Sequence, residues 1–309
     1  MLLVANGSVF TRNAQTPFIP NGAVAIDGDA IVEVGPECEL KAKYPDAEYV
    51  DAQGNLIMPG LVNCHTHIYS GLARGLAIKG CNPTNFLENL EQQWWKIDDN
   101  LTLDGTKASA YATILDSIRD GVTTIFDHHA SFCEIPGSLF TIKDAAQELG
   151  MRSCLCYEVS DRRSQEKCDQ AIAENAEFAQ WAAKERRDND NHMIAAMPNV
   201  GWCEAMTMLF ENNAKMASKY FDRKLGVLEP GAAADVIVMD YKPFTPLSEE
   251  NIDGHMLFGM MGKNCRTTII NGRVLYKDRE FVGIDEDKIS AWAMAESKKL
   301  WSTLNDRAY

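Results

Sequence analysis

Two segments at opposite ends of this chain read almost alike: VANGSVF (4–10) and IINGRVL (269–275). Each sets β-branched or aromatic residues around an Asn-Gly pair, the composition of a short strand meeting a tight turn. Further apolar stretches at 2–5, 23–26 and 31–34 are separated by Asn6-Gly7, Asn21-Gly22 and the Asp27-Gly28 hairpin signal. Residues 1–54 therefore predict about three to five short strands, too few to close a sandwich alone. The partners stand at the other end, where ADVIVMDY (234–241) reads as a buried strand and RTTIINGRVLYKD (266–278) as a hairpin turning at Asn271-Gly272. The expectation is one composite β-sandwich domain made of residues 1–54 and 221–284, with residues 55–220 inserted between them and a C-terminal helix over 285–309.

The insert alternates strands with helices. A strand is expected from 56 to about 67, helices at 84–96 and 103–120, a strand at 122–127, a helix at 138–149 and a strand at 152–159. A Ser164-capped helix at 164–187 should bury Cys168, Ala171, Ile172, Ala179 and Ala182. A strand at 193–197 follows, and a helix at 202–220 carries Trp202, Ala205, Met206, Leu209, Asn213, Met216 and Tyr220 at core-packing spacing. This alternation argues an α/β fold with a parallel sheet and right-handed crossovers. Composition narrows the role. Lys and Arg number 30 against 44 Asp and Glu, so the net charge is −14. Such a surface repels phosphate backbones and anionic lipid, which argues against nucleic-acid and membrane roles. No apolar run reaches the ~18 residues of a membrane span. The opening MLLVANGSVF has no basic leader and does not read as a signal peptide. Nine scattered cysteines fit a reduced, cytoplasmic setting better than a disulfide framework.

The sharpest chemical feature is MPGLVNCHTH (58–67). In a strand, alternate side chains share a face, so Asn63, His65 and His67 point one way. Two neutral imidazoles so placed at a strand's C-terminal end can reach one cation. That end of a parallel barrel is where active sites sit. By the same alternation Asp127 and His129 share a face and His128 takes the other, so His129 reads as a polar pocket lining rather than a ligand. Cys154 and Cys156 read as core thiols.

With these motifs on the page, the chain resembles the amidohydrolase superfamily, in the subgroup of cytosine/guanine-deaminase-like and triazine-hydrolase-like enzymes. The resemblance rests on MPGLVNCHTHIYSGLARGLA (58–77), FLENLEQQWWKID (86–98), GVTTIFDHHASF (121–132), LCYEVSDR (155–162) and LGVLEPGAAADVIVMD (225–240). It implies a metal-dependent (β/α)8 barrel carrying a composite β-sandwich, and hydrolysis of non-peptide carbon–nitrogen bonds by metal-activated water. The implied partner is a small heterocyclic or amidine-type substrate, and the implied cofactor a divalent metal, zinc first with iron the alternative. Carried over residue by residue, His65 and His67 match the metal ligands of the first barrel strand. Arg74 matches a position that tends to face the substrate; a surface salt bridge is the other reading of it.

The pattern then departs from the family. The resemblance implies later histidine ligands on the fifth and sixth strands and a catalytic aspartate on the eighth, and no residue here matches them. HMIAAM (192–197) runs directly into PNVGW (198–202). Residues 55–220 supply about four βα units, short of the eight and the ~250 residues of a full barrel. His192 stands at the wrong end of its strand, His255 falls in the β-domain, and Asp222, Asp235 and Asp240 lie outside barrel strand ends. The expected fold is therefore an incomplete (β/α) barrel, about four of eight units, inserted in the composite domain. Two functional readings follow: a metal-dependent aminohydrolase, or a non-catalytic remnant that self-associates through its open sheet.

Overall fold

The computed structural model describes residues 1–196, 213–243, 245–248, 252, 255 and 265–306. Numbered along the chain, its strands are β1 (Leu2–Phe10), β2 (Phe18–Asp27), β3 (Ala30–Pro36), β4 (Glu48–Asp51), β5 (Leu56–Pro59), β6 (Leu61–Thr66) and β7 (Val122–His129). They continue as β8 (Arg152–Tyr157), β9 (Ile194–Ala196), β10 (Val236–Met239), β11 (Cys265–Ile270), β12 (Arg273–Lys277) and β13 (Glu280–Phe281). The chain divides into two compact units, one of residues 1–63, 117–124 and 203–283, the other of 64–116, 125–202 and 284–309.

In the first unit both chain ends enter one nine-stranded sheet, ordered β13-β12-β11-β10-β5-β1-β2-β3, with β4 paired to β1. The joining pair is β5 against β10, antiparallel from Leu56↔Met239 to Pro59↔Val236. Strand alternation sorts the side chains. Ile57, Val236 and Val238 enter one cluster with Val24, Ile26 and Ile31, while Leu56, Met58, Ile237 and Met239 enter another. The first cluster joins strands that are not neighbours in the sheet. Ile31 N–H donates to Ala232 O at 3.1 Å and Ala234 N–H to Asp29 O at 3.0 Å, closing the same gap. The layers expected as a sandwich are thus parts of one continuous, curled sheet. β1 makes this possible by carrying β4 along Leu2–Ala5 and β5 along Ser8–Val9.

Two expected turns are corrected here. Asn6-Gly7 and Asn21-Gly22 lie inside β1 and β2, where Asn6 (φ 60°) and Asn21 (φ 50°) take left-handed backbone and the β1–β2 register shifts. A residue with positive φ serves a bulge as well as a turn, and pairing on both sides decided for bulges. The Asn271-Gly272 hairpin forms as read, with Ile270 opposite Arg273. Residues 1–54 also hold a helix, Glu37–Lys43, that strand patterning missed; its Leu40 packs against Leu3, Ala5, Ala23 and Ala25.

The single strand expected from 56 to 67 is two. β5 belongs to the large sheet and β6 to a second one, and Gly60 is the joint. A Cβ there would fall 2.3 Å from the Thr123 side chain. Gly60→Ala is expected to lower unfolding free energy by about 1–3 kcal/mol, the usual cost of overpacking. Urea denaturation checks this, and an unchanged midpoint would count against the close approach.

The second unit is built on a four-stranded sheet, β6-β7-β8-β9, with β8 and β9 parallel. Helices Leu103–Arg119, Ser138–Leu149 and Gln165–Asn189 separate the four strands in turn, the alternation read from sequence. The sheet does not close into a barrel among the described residues. Several helix ends follow their local signals. Gly121 (φ 77°) follows Leu103–Arg119, and Gly150 (φ 77°) caps Ser138–Leu149. The Ser164 hydroxyl accepts from Lys167 N–H at 3.2 Å. The Gln165–Asn189 helix buries Ala171, Glu174, Phe178 and Ala182, whereas Ile172, expected inside, is half exposed. Phe178 sets that face by packing edge-on with Phe140 at 5.4 Å and against Trp181 at 5.7 Å. The stretch expected as a helix at 84–96 forms as Phe86–Asn89 and Trp95–Asp98 around a π-helical turn, Leu90–Trp94. The C-terminal helix, Glu286–Asp306, packs Leu300 and Leu304 with Leu72, Ile97 and Leu101, and Trp301 Nε1 donates to Leu72 O at 2.8 Å. Of the helix expected at 202–220, residues 202–212 lie outside the described residues; Asn213–Ala217 is helical.

Candidate metal site at the ends of β6 and β7

His65 is the penultimate residue of β6, and His67 stands just past it, where φ −129° and ψ 84° turn the chain into the 3-10 helix Ile68–Ala73. Their rings lie 4.8 Å apart between centroids and nearly perpendicular. The pair picked out by alternation is therefore side by side in space. His67 is held on every side. Its Nδ1 lies 3.0 Å from the carbonyl oxygen of His128. A carbonyl can only accept, so Nδ1 carries the proton and Nε2 keeps the lone pair. Ile68 N–H donates to Asp127 Oδ1 at 2.6 Å. The carbonyl of His67 accepts from Ser70 Oγ at 2.7 Å and from Ser70 N at 3.0 Å.

The end of β7 divides as the strand period requires. Asp127 and His129 are fully buried, and His128 lies on the other side, its ring 5.8 Å from that of His67. His129 Nε2 lies 3.0 Å from Ser131 Oγ, and its ring packs edge-on against Tyr157 at 5.6 Å and Tyr69 at 6.2 Å. His129 Nδ1 and Asp127 Oδ2 approach only to 3.9 Å, and neither atom makes a hydrogen bond among the described residues. Burial pushes the Asp127 carboxyl up to about 8, with the Ile68 N–H opposing. Burial, then His128 and His67, presses His129 down to about 3. Burial also lowers His65 and His128, each with a neighbouring His67 adding to the effect. The Cys64 thiol is pushed by burial up to about 12 and is no thiolate.

Arg74, the other candidate, pairs with Asp116 at 2.7 Å with its side chain three-quarters exposed. Cys154 and Cys156 are buried, as core thiols should be, and none of the eight described cysteines is in a disulfide. His255 Nδ1 lies 2.5 Å from Tyr241 Oη in the β-domain. Asp235 accepts from Asn271 N–H at 2.9 Å and so fixes the β11–β12 turn. Sequence reasoning missed a buried ion pair in this unit. Arg162 Nη2 meets Asp98 Oδ2 at 2.5 Å, and the guanidinium lies 4.1 Å from the centre of the Phe132 ring and 5.1 Å from that of Trp95. No single-residue signal marks it, because Asp98 and Arg162 are distant in sequence.

His65 and His67 fit two positions of a metal site. A catalytic zinc takes about three protein ligands. Among the described residues, no group of three or more His, Cys, Asp and Glu is arranged to hold an ion.

Comparison with known proteins agrees with this architecture. Residues 56–202 match the Amidohydrolase family, and residues 22–47 match the Imidazolonepropionase-like composite domain of bacteria. The chain is thus similar to an amidohydrolase-family domain over 56–202 and to a composite domain over 22–47. Among its relatives is the 5'-deoxyadenosine deaminase of Methanococcoides burtonii, 30% identical over 184 residues, 59% of this chain and 39% of that protein. Another is the 5-methylthioadenosine/S-adenosylhomocysteine deaminase of Pelotomaculum thermopropionicum, 27% identical over 154 residues, 50% of this chain and 33% of that protein. The chain spans well under two thirds of the length of the curated relatives it matches. Among solved structures, zinc-bound atrazine chlorohydrolase TrzN from Arthrobacter aurescens TC1 superposes with a TM-score of 0.68 at 16% identity, over 96% of this chain and 100% of that one. An adenosine deaminase from Xanthomonas campestris with bound zinc superposes with a TM-score of 0.69 at 14% identity, over 97% and 98%. These likenesses show a shared fold.

Proposed function

We propose that this chain is a metal-dependent hydrolase of the amidohydrolase kind, releasing ammonia from a small heterocyclic amine of the adenosine-derivative class. The observation that carries the reading is the His65–His67 pair, with rings 4.8 Å apart and the proton of His67 fixed on Nδ1. His65 and His67 would hold a divalent metal, zinc in preference to iron. An ion bound there polarises a water for attack on carbon. The chain's own residues do the rest. His128 O and Ser70 orient His67, and Tyr69, whose ring lies 5.6 Å from that of His67, walls one side of the pair. His129 backs Tyr69 from the interior, and Arg74, exposed and paired with Asp116, would face the substrate. The net charge of −14 disfavours nucleic acid as a partner. No described helix is long and apolar enough to cross a membrane.

The test is metal content together with ammonia release across a panel of adenosine derivatives and other heterocyclic amines. Bound zinc or iron and chelator-sensitive release are expected. Purified protein that holds no metal and turns over none of the panel would sink the reading. The missing third ligand among the described residues favours a second one: a non-catalytic chain that self-associates through its open four-stranded sheet. It predicts oligomers in sedimentation without turnover; a monodisperse monomer that melts cooperatively would count against it.

A further inference from the structure

Two consecutive residues of β7 reach two consecutive residues beyond β6. The carbonyl of His128 accepts a hydrogen bond from His67 Nδ1–H, and the carboxyl of Asp127 accepts one from the N–H of Ile68 at 2.6 Å. The second contact bears on His67 as well, because the Ile68 nitrogen belongs to the peptide plane that follows it. Fixing that plane fixes ψ of His67 at 84°, a value outside the strand range that β6 keeps up to Thr66. Asp127 is fully buried, and among the described residues its side chain makes no other hydrogen bond, with no partner for Oδ2. A carboxyl group taken wholly out of water for one backbone N–H is costly unless that bond has work to do.

We infer that Asp127 is a positioning residue for His67: by holding the His67–Ile68 peptide it seats the imidazole on the His128 carbonyl and so selects the tautomer with its lone pair on Nε2. The inference rests on reading His67 as a metal ligand. Outer partners of this kind orient a ligand and fix its tautomer without touching the metal.

The test begins on the wild-type protein without metal. Imidazole ¹⁵N spectra at mildly alkaline pH should show His67 protonated on Nδ1, and the Ile68 amide proton should lie far downfield and exchange slowly. Asp127→Asn keeps an Oδ1 acceptor and should preserve the tautomer and the zinc affinity measured by chelator competition. Asp127→Ala should mix the tautomers and weaken zinc binding by about 10–100-fold. A wild-type His67 protonated on Nε2, or a fast-exchanging Ile68 amide, would overturn the inference even if Asp127→Ala failed to fold. So would a folded Asp127→Ala protein with tautomer and affinity unchanged. Should zinc bind none of the proteins while His67 keeps its Nδ1 proton and Asp127→Ala loses it, the positioning role stands and the metal reading falls.

Discussion

Replacing Arg162 with alanine is expected to destabilise the protein by about 3–5 kcal/mol, the cost of stripping one partner from a buried ion pair. Both side chains are nearly inaccessible, and the guanidinium lies close to the Phe132 and Trp95 rings, its Nε and Nη1 making no hydrogen bond among the described residues. Alanine therefore removes a charge partner and two ring contacts together. Urea denaturation at neutral pH reads the loss. Asp98→Asn in the same background should recover part of it at alkaline pH, where the carboxyl left without Arg162 would otherwise have to ionise in a buried site.

The deficit also carries a pH signature. Burial raises the Asp98 carboxyl from its ordinary 3.8 to about 7, with Arg162 pulling the other way. A raised acid pKa contributes stability that is complete below about pH 4 and is lost as pH rises through about 7. Without Arg162 the folded-state pKa moves higher still, so the variant goes on losing stability where the wild type has levelled off. The gap between them should widen above neutrality and narrow in mild acid. A gap that closes as pH rises would mean that Arg162 does not act through Asp98.

Removing His67 should abolish the binding of a single divalent metal, as judged by metal content after dialysis and by calorimetry. Loss of a direct ligand should exceed the roughly 10–100-fold typical of an outer partner. His65→Ala should lower metal content as strongly while leaving the apo-protein melting temperature nearly unchanged, because His65 is largely exposed in the described structure. His67→Ala should also lower the apo-protein's melting point, since it deletes the contact to the His128 carbonyl. Full metal content in the double variant would place the ion elsewhere.

Much of this protein was legible in the chain alone. The helix Ser138–Leu149 begins and ends where its pattern says, because an apolar stripe and a glycine cap are local signals. The Asn271-Gly272 turn could be read for the same reason. Asn6-Gly7 and Asn21-Gly22 could not be told from turns, since a left-handed backbone suits a bulge equally and only the neighbouring strand distinguishes them. Ile172 and Phe178 show the same limit on a helix: both are apolar, and the aromatic partners across the helix chose which one went inside.

At the site, the sequence by itself determined that His65 and His67 stand together and that Asp127 and His129 share a face, because strand alternation is a property of the backbone. It also determined the acidic balance. Tertiary structure alone decided the rest: that His128 rather than His129 lies beside His67, that Asp127 grips the peptide after His67, and that Asp98 finds Arg162. Each of those depends on the distance between side chains far apart in sequence, and that distance exists only once the strands are laid side by side.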